Sequence, residues 1–85
     1  MEEIRVQFEP KHFEMIEKEV GDILKDKKRC RVEKENQTII FPNEEEKNDF
    51  GNELWCVAAS YVDNQGEMTD YGMTIEGICD LYFLD

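Results

Sequence analysis

The side chains able to carry chemistry in this chain are mostly carboxylates, and they gather in two places. The stretch "YVDNQGEMTDYGMTIE", residues 61–76, holds Asp63, Glu67, Asp70 and Glu76 around Gly66 and Gly72. A calcium loop of the EF-hand type needs oxygen ligands at positions one, three, five and twelve and a glycine at six. With Gly66 at six, positions one and twelve are Tyr61 and Gly72; with Gly72 at six, positions five and twelve are Tyr71 and Ile78. Neither register supplies the ligands. The stretch therefore reads as a turn in which Asp63, Asn64 and Gly66 close one helix and Gly72 permits a second sharp bend.

The second acidic cluster is Glu45, Asp49 and Glu53, spaced at i, i+4 and i+8, with Glu46 beside them. On a helix this spacing lines up four carboxylates on one solvent face opposite Phe50, Leu54 and Val57, with neighbours roughly 5–6 Å apart. That distance is on the scale of the phosphate repeat of a nucleic-acid strand. Such a face is either a solvated surface that keeps a small protein in solution, or an imitation of a phosphate backbone offered to a basic groove.

Other chemistry finds little footing. His12 is the one histidine, and Cys30, Cys56 and Cys79 are scattered without a C-x-x-C pair. A histidine meeting a cysteine in space would make a base–nucleophile couple, and the four together would be soft ligands for zinc. Their spacing supports neither, so no catalytic residue, metal or cofactor is expected, and His12 reads as a half-exposed helix residue. The glycines at 66, 72 and 77 form no phosphate-cradling motif.

The elements that must position the carboxylates follow from periodicity. Ile4, Val6 and Phe8 alternate with Arg5, Gln7 and Glu9, as in a half-buried strand. Pro10 suits a first helical position, and Phe13, Ile16, Val20, Ile23 and Leu24 then share one helical face, with Gly21 weakening but not ending the helix. Lys25, Lys27 and Lys28 near its end suit the negative helix pole. Cys30 and Val32, the turn "KEN", and Thr38 to Phe41 make a hairpin stopped by Pro42. Asn43 is a good N-cap, with Glu44, Glu45 and Glu46 at the positive pole. The helix it starts, with Phe50, Leu54, Val57, Ala58 and Tyr61 on one face, is expected to reach about Val62, although "LWCVAASYV" also suits a strand. Ile75, Ile78, Cys79 and Tyr82 mark a last short helix with Thr74 as its cap. The order β-α-β-β-α-α implies an α+β domain, a three-stranded, mostly antiparallel sheet packed against helices. Phe13, Ile16, Val20, Ile39, Phe41, Phe50, Leu54 and Val57 are its expected core.

Eighty-five residues allow one domain spanning 1–85, and a chain of this size buries only roughly two-thirds of its unfolded surface. No apolar run approaches the ~18 residues of a membrane span. The N-terminus lacks the apolar block of a signal peptide, and an odd count of scattered cysteines fits the reducing cytoplasm. The net charge is −11, and it is lopsided. Residues 1–42 hold ten acids and nine bases, whereas residues 43–85 hold eleven acids and one base, Lys47. A field of that kind repels nucleic acid and anionic membrane and attracts basic partners. The basic stretch "KDKKRCR", residues 25–31, is best matched by the acidic half of the same protein, within or between chains.

These observations favour a non-enzymatic, protein-binding inhibitor whose acidic surface occupies the nucleic-acid groove of a basic target such as a nuclease. Its binding residues would be Glu45, Glu46, Asp49, Glu53, Asp63, Glu67 and Asp70. In size and charge the chain is similar to small phage and mobile-element proteins that mimic nucleic acid, some anti-CRISPR and anti-restriction proteins among them, without sharing a residue motif with them. The alternative is an immunity protein or antitoxin that neutralises a cognate basic toxin through the same electrostatics.

Overall fold

The computed structural model describes residues 3–83; Asp85, one of the eleven acids of the second half, lies outside them. The elements run β1 (Ile4–Gln7), α1 (Pro10–Leu24), β2 (Arg31–Glu33), a 3-10 turn (Lys34–Asn36), β3 (Thr38–Phe41), α2 (Glu44–Ser60) and α3 (Asp70–Tyr82). The chain is an α+β domain of three helices and an antiparallel open sheet in the order β1-β3-β2. The β-branched run of β3 takes the centre, and all four of its residues are buried. Ile4 and Val6 of β1 stand opposite Phe41 and Ile39, so one face of the sheet is apolar and meets the helices. On the other face Arg5 and Arg31 both stand opposite Ile40. Ile40 is buried yet stands outside the main core cluster, as arginine stems laid over an apolar residue would leave it.

The hairpin of β2 and β3 turns through Gln37, which takes a left-handed φ of 47°. Helix α1 begins with Pro10 in its first turn and kinks at Val20, whose φ of −128° and ψ of 32° are not helical, one residue before Gly21. It ends at Leu24 with Lys25 as its cap, so Lys27 and Lys28 lie beyond the last turn rather than on the helix pole. Phe13, Ile16 and Val20 face the core with Ile39, Phe41, Phe50 and Leu54. Val57, expected among them, is only partly buried at the margin.

Two expectations about the second half are corrected. The helix that follows Asn43 ends at Ser60, and "LWCVAASYV" is helical in all but its last two residues. Helix α3 begins earlier than Thr74: Thr69 is its cap, its hydroxyl accepting from the Gly72 N–H at 3.2 Å, and Thr74 is an interior residue whose hydroxyl bonds back to the Asp70 carbonyl at 3.0 Å. Gly72 is accordingly not a bend. It sits inside α3 where that helix crosses the end of α2, and a Cβ there would stand 3.0 Å from the Ala58 carbonyl oxygen and 2.8 Å from Met68 Cγ. Asparagine, aspartate and threonine all cap helices, so with several candidates the apolar period misplaced the start by one turn and more.

Leu54 is 1 % exposed between sheet and helices; Leu54→Ala should lower stability by ~2–5 kcal/mol. Gly72→Ala, the smallest enlargement possible, should also destabilise, by ~1–3 kcal/mol, because backbone lines the gap it would fill. Thermal or denaturant unfolding measures both, and an unchanged midpoint for Gly72→Ala would mean that α3 is free to shift away from α2.

Candidate functional site

The acidic helix starts as its sequence requires. Asn43 Oδ1 accepts from the Glu46 N–H at 2.9 Å, and Glu44, Glu45 and Glu46 occupy the first turn, where the positive pole favours them. From there the four carboxylates divide. Glu45 and Asp49 are exposed, while Glu46 and Glu53, two turns apart, both turn toward Arg29. Arg29 Nη1 donates to Glu53 Oε1 and Oε2 at 3.1 and 3.2 Å, and Arg29 Nε reaches Glu46 Oε1 at 3.5 Å. Glu46 and Glu53 thus flank the buried stripe instead of opposing it, and the single solvent face expected from the spacing is split in two. The basic stretch is partly absorbed within the chain: Arg29 goes to α2, and Arg31 pairs with Glu3 at 2.9 Å. Lys25, Lys27 and Lys28 are exposed.

Three further carboxylates of the second half, Asp63, Glu67 and Asp70, lie at the other end of α2. Asp63 Oδ1 accepts from the N–H groups of Gln65 and Glu67 at 2.8 and 3.0 Å, Gly66 takes a φ of 81°, and Val62 bridges to Met68. The stretch is a tight turn, and one Asp63 oxygen is fully engaged in closing it. Glu67 and Asp70 are exposed, Asp70 as the first residue of α3. At 1.5 Å per residue, Asp49 stands roughly 16 Å along the helix from Ser60, so the expected binding residues form two groups and not one cluster. Glu76 and Asp80 of α3, outside that expected set, sit between the groups. Both act on the neighbouring Cys79: burial first, then the charges of Asp80 and Glu76, push its thiol up to about 11. Their i, i+4 spacing was visible in the sequence, but only a helix known to run from Asp70 gives it a face.

The histidine and cysteines do not meet. His12 Nδ1 lies 2.9 Å from the Tyr82 hydroxyl, which also accepts from the Glu9 N–H at 3.1 Å. Cys30 and Cys79 are buried, with Sγ atoms directed at the Ile23 and Gly51 carbonyls, and Cys56 is exposed. Burial raises the Cys30 thiol as well; raised thiols are protonated at neutral pH and poor nucleophiles. Among the described residues no three His, Cys, Asp or Glu side chains are grouped so as to hold a metal ion, and no helix is long and apolar enough to cross a membrane.

One polar arrangement escaped the sequence altogether. Glu19 of α1 accepts from the Tyr61 hydroxyl at 2.8 Å and from the Tyr71 hydroxyl at 2.7 Å, one carboxylate oxygen each. The two rings pack edge to face at 4.8 Å, with the Lys18 ammonium 5.5 Å from the Tyr71 ring centre. Glu19 thereby ties α1 to the end of α2 and the start of α3. Residues 42 and 52 positions apart carry no local signal of such a bond.

Compared with protein-family models, curated proteins and solved structures, the chain matches none.

Two measurements check this geometry. Millimolar calcium should leave the melting temperature unchanged, because binding to the native state alone would raise it and residues 61–76, a tight turn followed by the start of α3, offer no ligand set; a saturable rise contradicts this arrangement. In an ultraviolet phenolate titration, Tyr71 should ionise late, near 12, held protonated by desolvation, then by its bond to Glu19 and the charges of Glu19 and Tyr61. Tyr61 should also ionise above its ordinary value, chiefly through its bond to Glu19. Folded pKa values raised above the unfolded ones give a contribution to stability that is complete below about pH 10 and lost as pH climbs through the folded value. Glu19→Gln should bring both ionisations earlier, and an unmoved titration would remove Glu19 from its assigned place.

Proposed function

We propose that this chain is a non-enzymatic inhibitor that acts in the cytoplasm by docking its acidic helical half into the basic, nucleic-acid-binding groove of a partner such as a nuclease. The observation that carries this reading is the division of charge between the layers. The α2–α3 layer presents exposed carboxylates at Glu44, Glu45, Asp49, Glu67, Asp70 and Asp80, whereas nine of the ten bases belong to the strands, α1 and their loops. A surface so charged steers a basic partner toward itself and turns nucleic acid away. Glu46 and Glu53, already held by Arg29, contribute to the field while remaining fixed in place. Glu44, Glu45 and Asp49 are the α2 carboxylates offered outward.

The test begins with a partner recovered from the native host and then measures association rates. Raising salt from 0.1 M to 1 M shortens the screening length from about 10 Å to about 3 Å, and association should slow accordingly. Changing Glu45 and Asp49 to glutamine and asparagine should lower the on-rate roughly tenfold or more at low salt with the fold intact, while the same change at Glu14 and Glu35 should do little. Duplex nucleic acid should compete with the protein for the partner. Equal losses from both pairs of variants, or a partner that binds protein and nucleic acid at once, would defeat the reading.

A further inference from the structure

Along the seam between α2 and α3 runs a shallow groove of about 500 Å³, lined by Asn48, Gly51, Asn52, Trp55, Cys79 and Phe83. Gly51 makes its floor: a Cβ there would stand 3.0 Å from Phe83 Cβ. Trp55, one helical turn on, is the sole tryptophan and is 46 % exposed, a large aromatic surface left open beside two exposed amides. Asn48 and Asn52, at i−7 and i−3 from Trp55, fall on the same side of α2. Among the described residues no charged side chain lines the groove, yet carboxylates flank it on both sides. Glu45 and Asp49 each stand three residues before one of the two asparagines, and Glu76 and Asp80 stand beside Cys79 on α3. The thiol of Cys79, which lines the groove, registers those last two charges.

An aromatic face with open amides between two acidic banks fits a flat cation better than a compact one. We propose that this groove seats an arginine side chain of the basic partner, its guanidinium stacked on Trp55 and donating to the Asn48 and Asn52 amide oxygens, with the flanking carboxylates taking neighbouring bases. Guanidinium is planar, weakly hydrated and stacks on indole, whereas ammonium is a strongly hydrated point charge. The inference rests on the reading of the acidic half as a docking face and makes that face selective for arginine over lysine. Exposed tryptophan with a polar surround is also the composition in which binding energy concentrates.

The intrinsic fluorescence of Trp55 reports the groove directly, and the probes are an arginine-only and a lysine-only peptide of equal length, titrated at low salt. The arginine peptide should change the emission saturably and bind roughly two- to fivefold more tightly than the lysine peptide. By calorimetry, Trp55→Leu should keep binding but lose the preference, and Trp55→Phe should keep part of it. Should Trp55→Leu fail to fold, the two wild-type titrations decide alone. Equal affinities with unmoved emission, or a preference that survives in Trp55→Leu, would overturn the groove and leave the acidic docking face standing. No binding of either peptide would overturn both.

Discussion

The close approach of α2 and α3 is the contact on which the rest of the molecule depends. It is made possible by two glycines at opposite ends of the crossing. At Gly72 the Ala58 carbonyl and the Tyr61 Cβ come within 3.0 Å of where a side chain would begin, and at Gly51 Phe83 does the same. Between them Leu54, Ala58, Ile75, Ile78 and Cys79 close the layer over Ile39 and Phe41. A side chain at either glycine would have to separate the helices, thinning the core and widening the seam that carries Trp55. The same contact brings the carboxylates of α2 within one surface of those of α3, at a cost in repulsion that the apolar interior must offset.

Arg29 relieves part of that repulsion from the other layer, while Glu19 joins the two layers without relieving it. Arg29 reaches out of the loop after α1 to pair with both Glu46 and Glu53, offsetting one of their two charges, and its side chain is 26 % exposed, so these pairs hold better than fully exposed ones. Glu19 works in the opposite sense, placing a carboxylate of α1 where two phenols of the helical layer can donate to it. One bond supplies a positive charge and the other supplies hydrogen-bond donors, so the two layers are joined at both ends of α2 by different chemistry. The acids left over, Glu45 and Asp49 foremost, receive neither.

Local rules therefore carried the fold a long way and the site only part of it. The strand of Ile4 and Val6, the hairpin around "KEN", the Asn43 cap and the faces of Phe13, Ile16, Phe50 and Leu54 were legible because each depends on spacings of two to four residues. The start of α3 was not, because Thr69 and Thr74 both qualify as caps and only the packing of Gly72 against Ala58 chooses between them. The acidic face was legible as charge and illegible as geometry. Whether Glu53 points to solvent or to Arg29 is settled by a residue 24 positions away, and no periodicity reports that. Trp55 belongs to no pattern of its own, and its place at the mouth of a groove depends on which helix lies alongside.

The sheet has its own consequence for how the molecule meets others. Its two outer strands, β1 and β2, leave hydrogen-bonding edges open, the usual template for one chain to add itself to another. Here both edges are short, four residues and three, and charges cross the outer face of the sheet: Arg5 to Glu33 at 2.7 Å and Arg31 to Glu3 at 2.9 Å. An incoming strand would have little backbone to pair with and would meet arginines and glutamates set in fixed alternation. Short, charged borders of this kind discourage the side-by-side stacking that leads to fibrils.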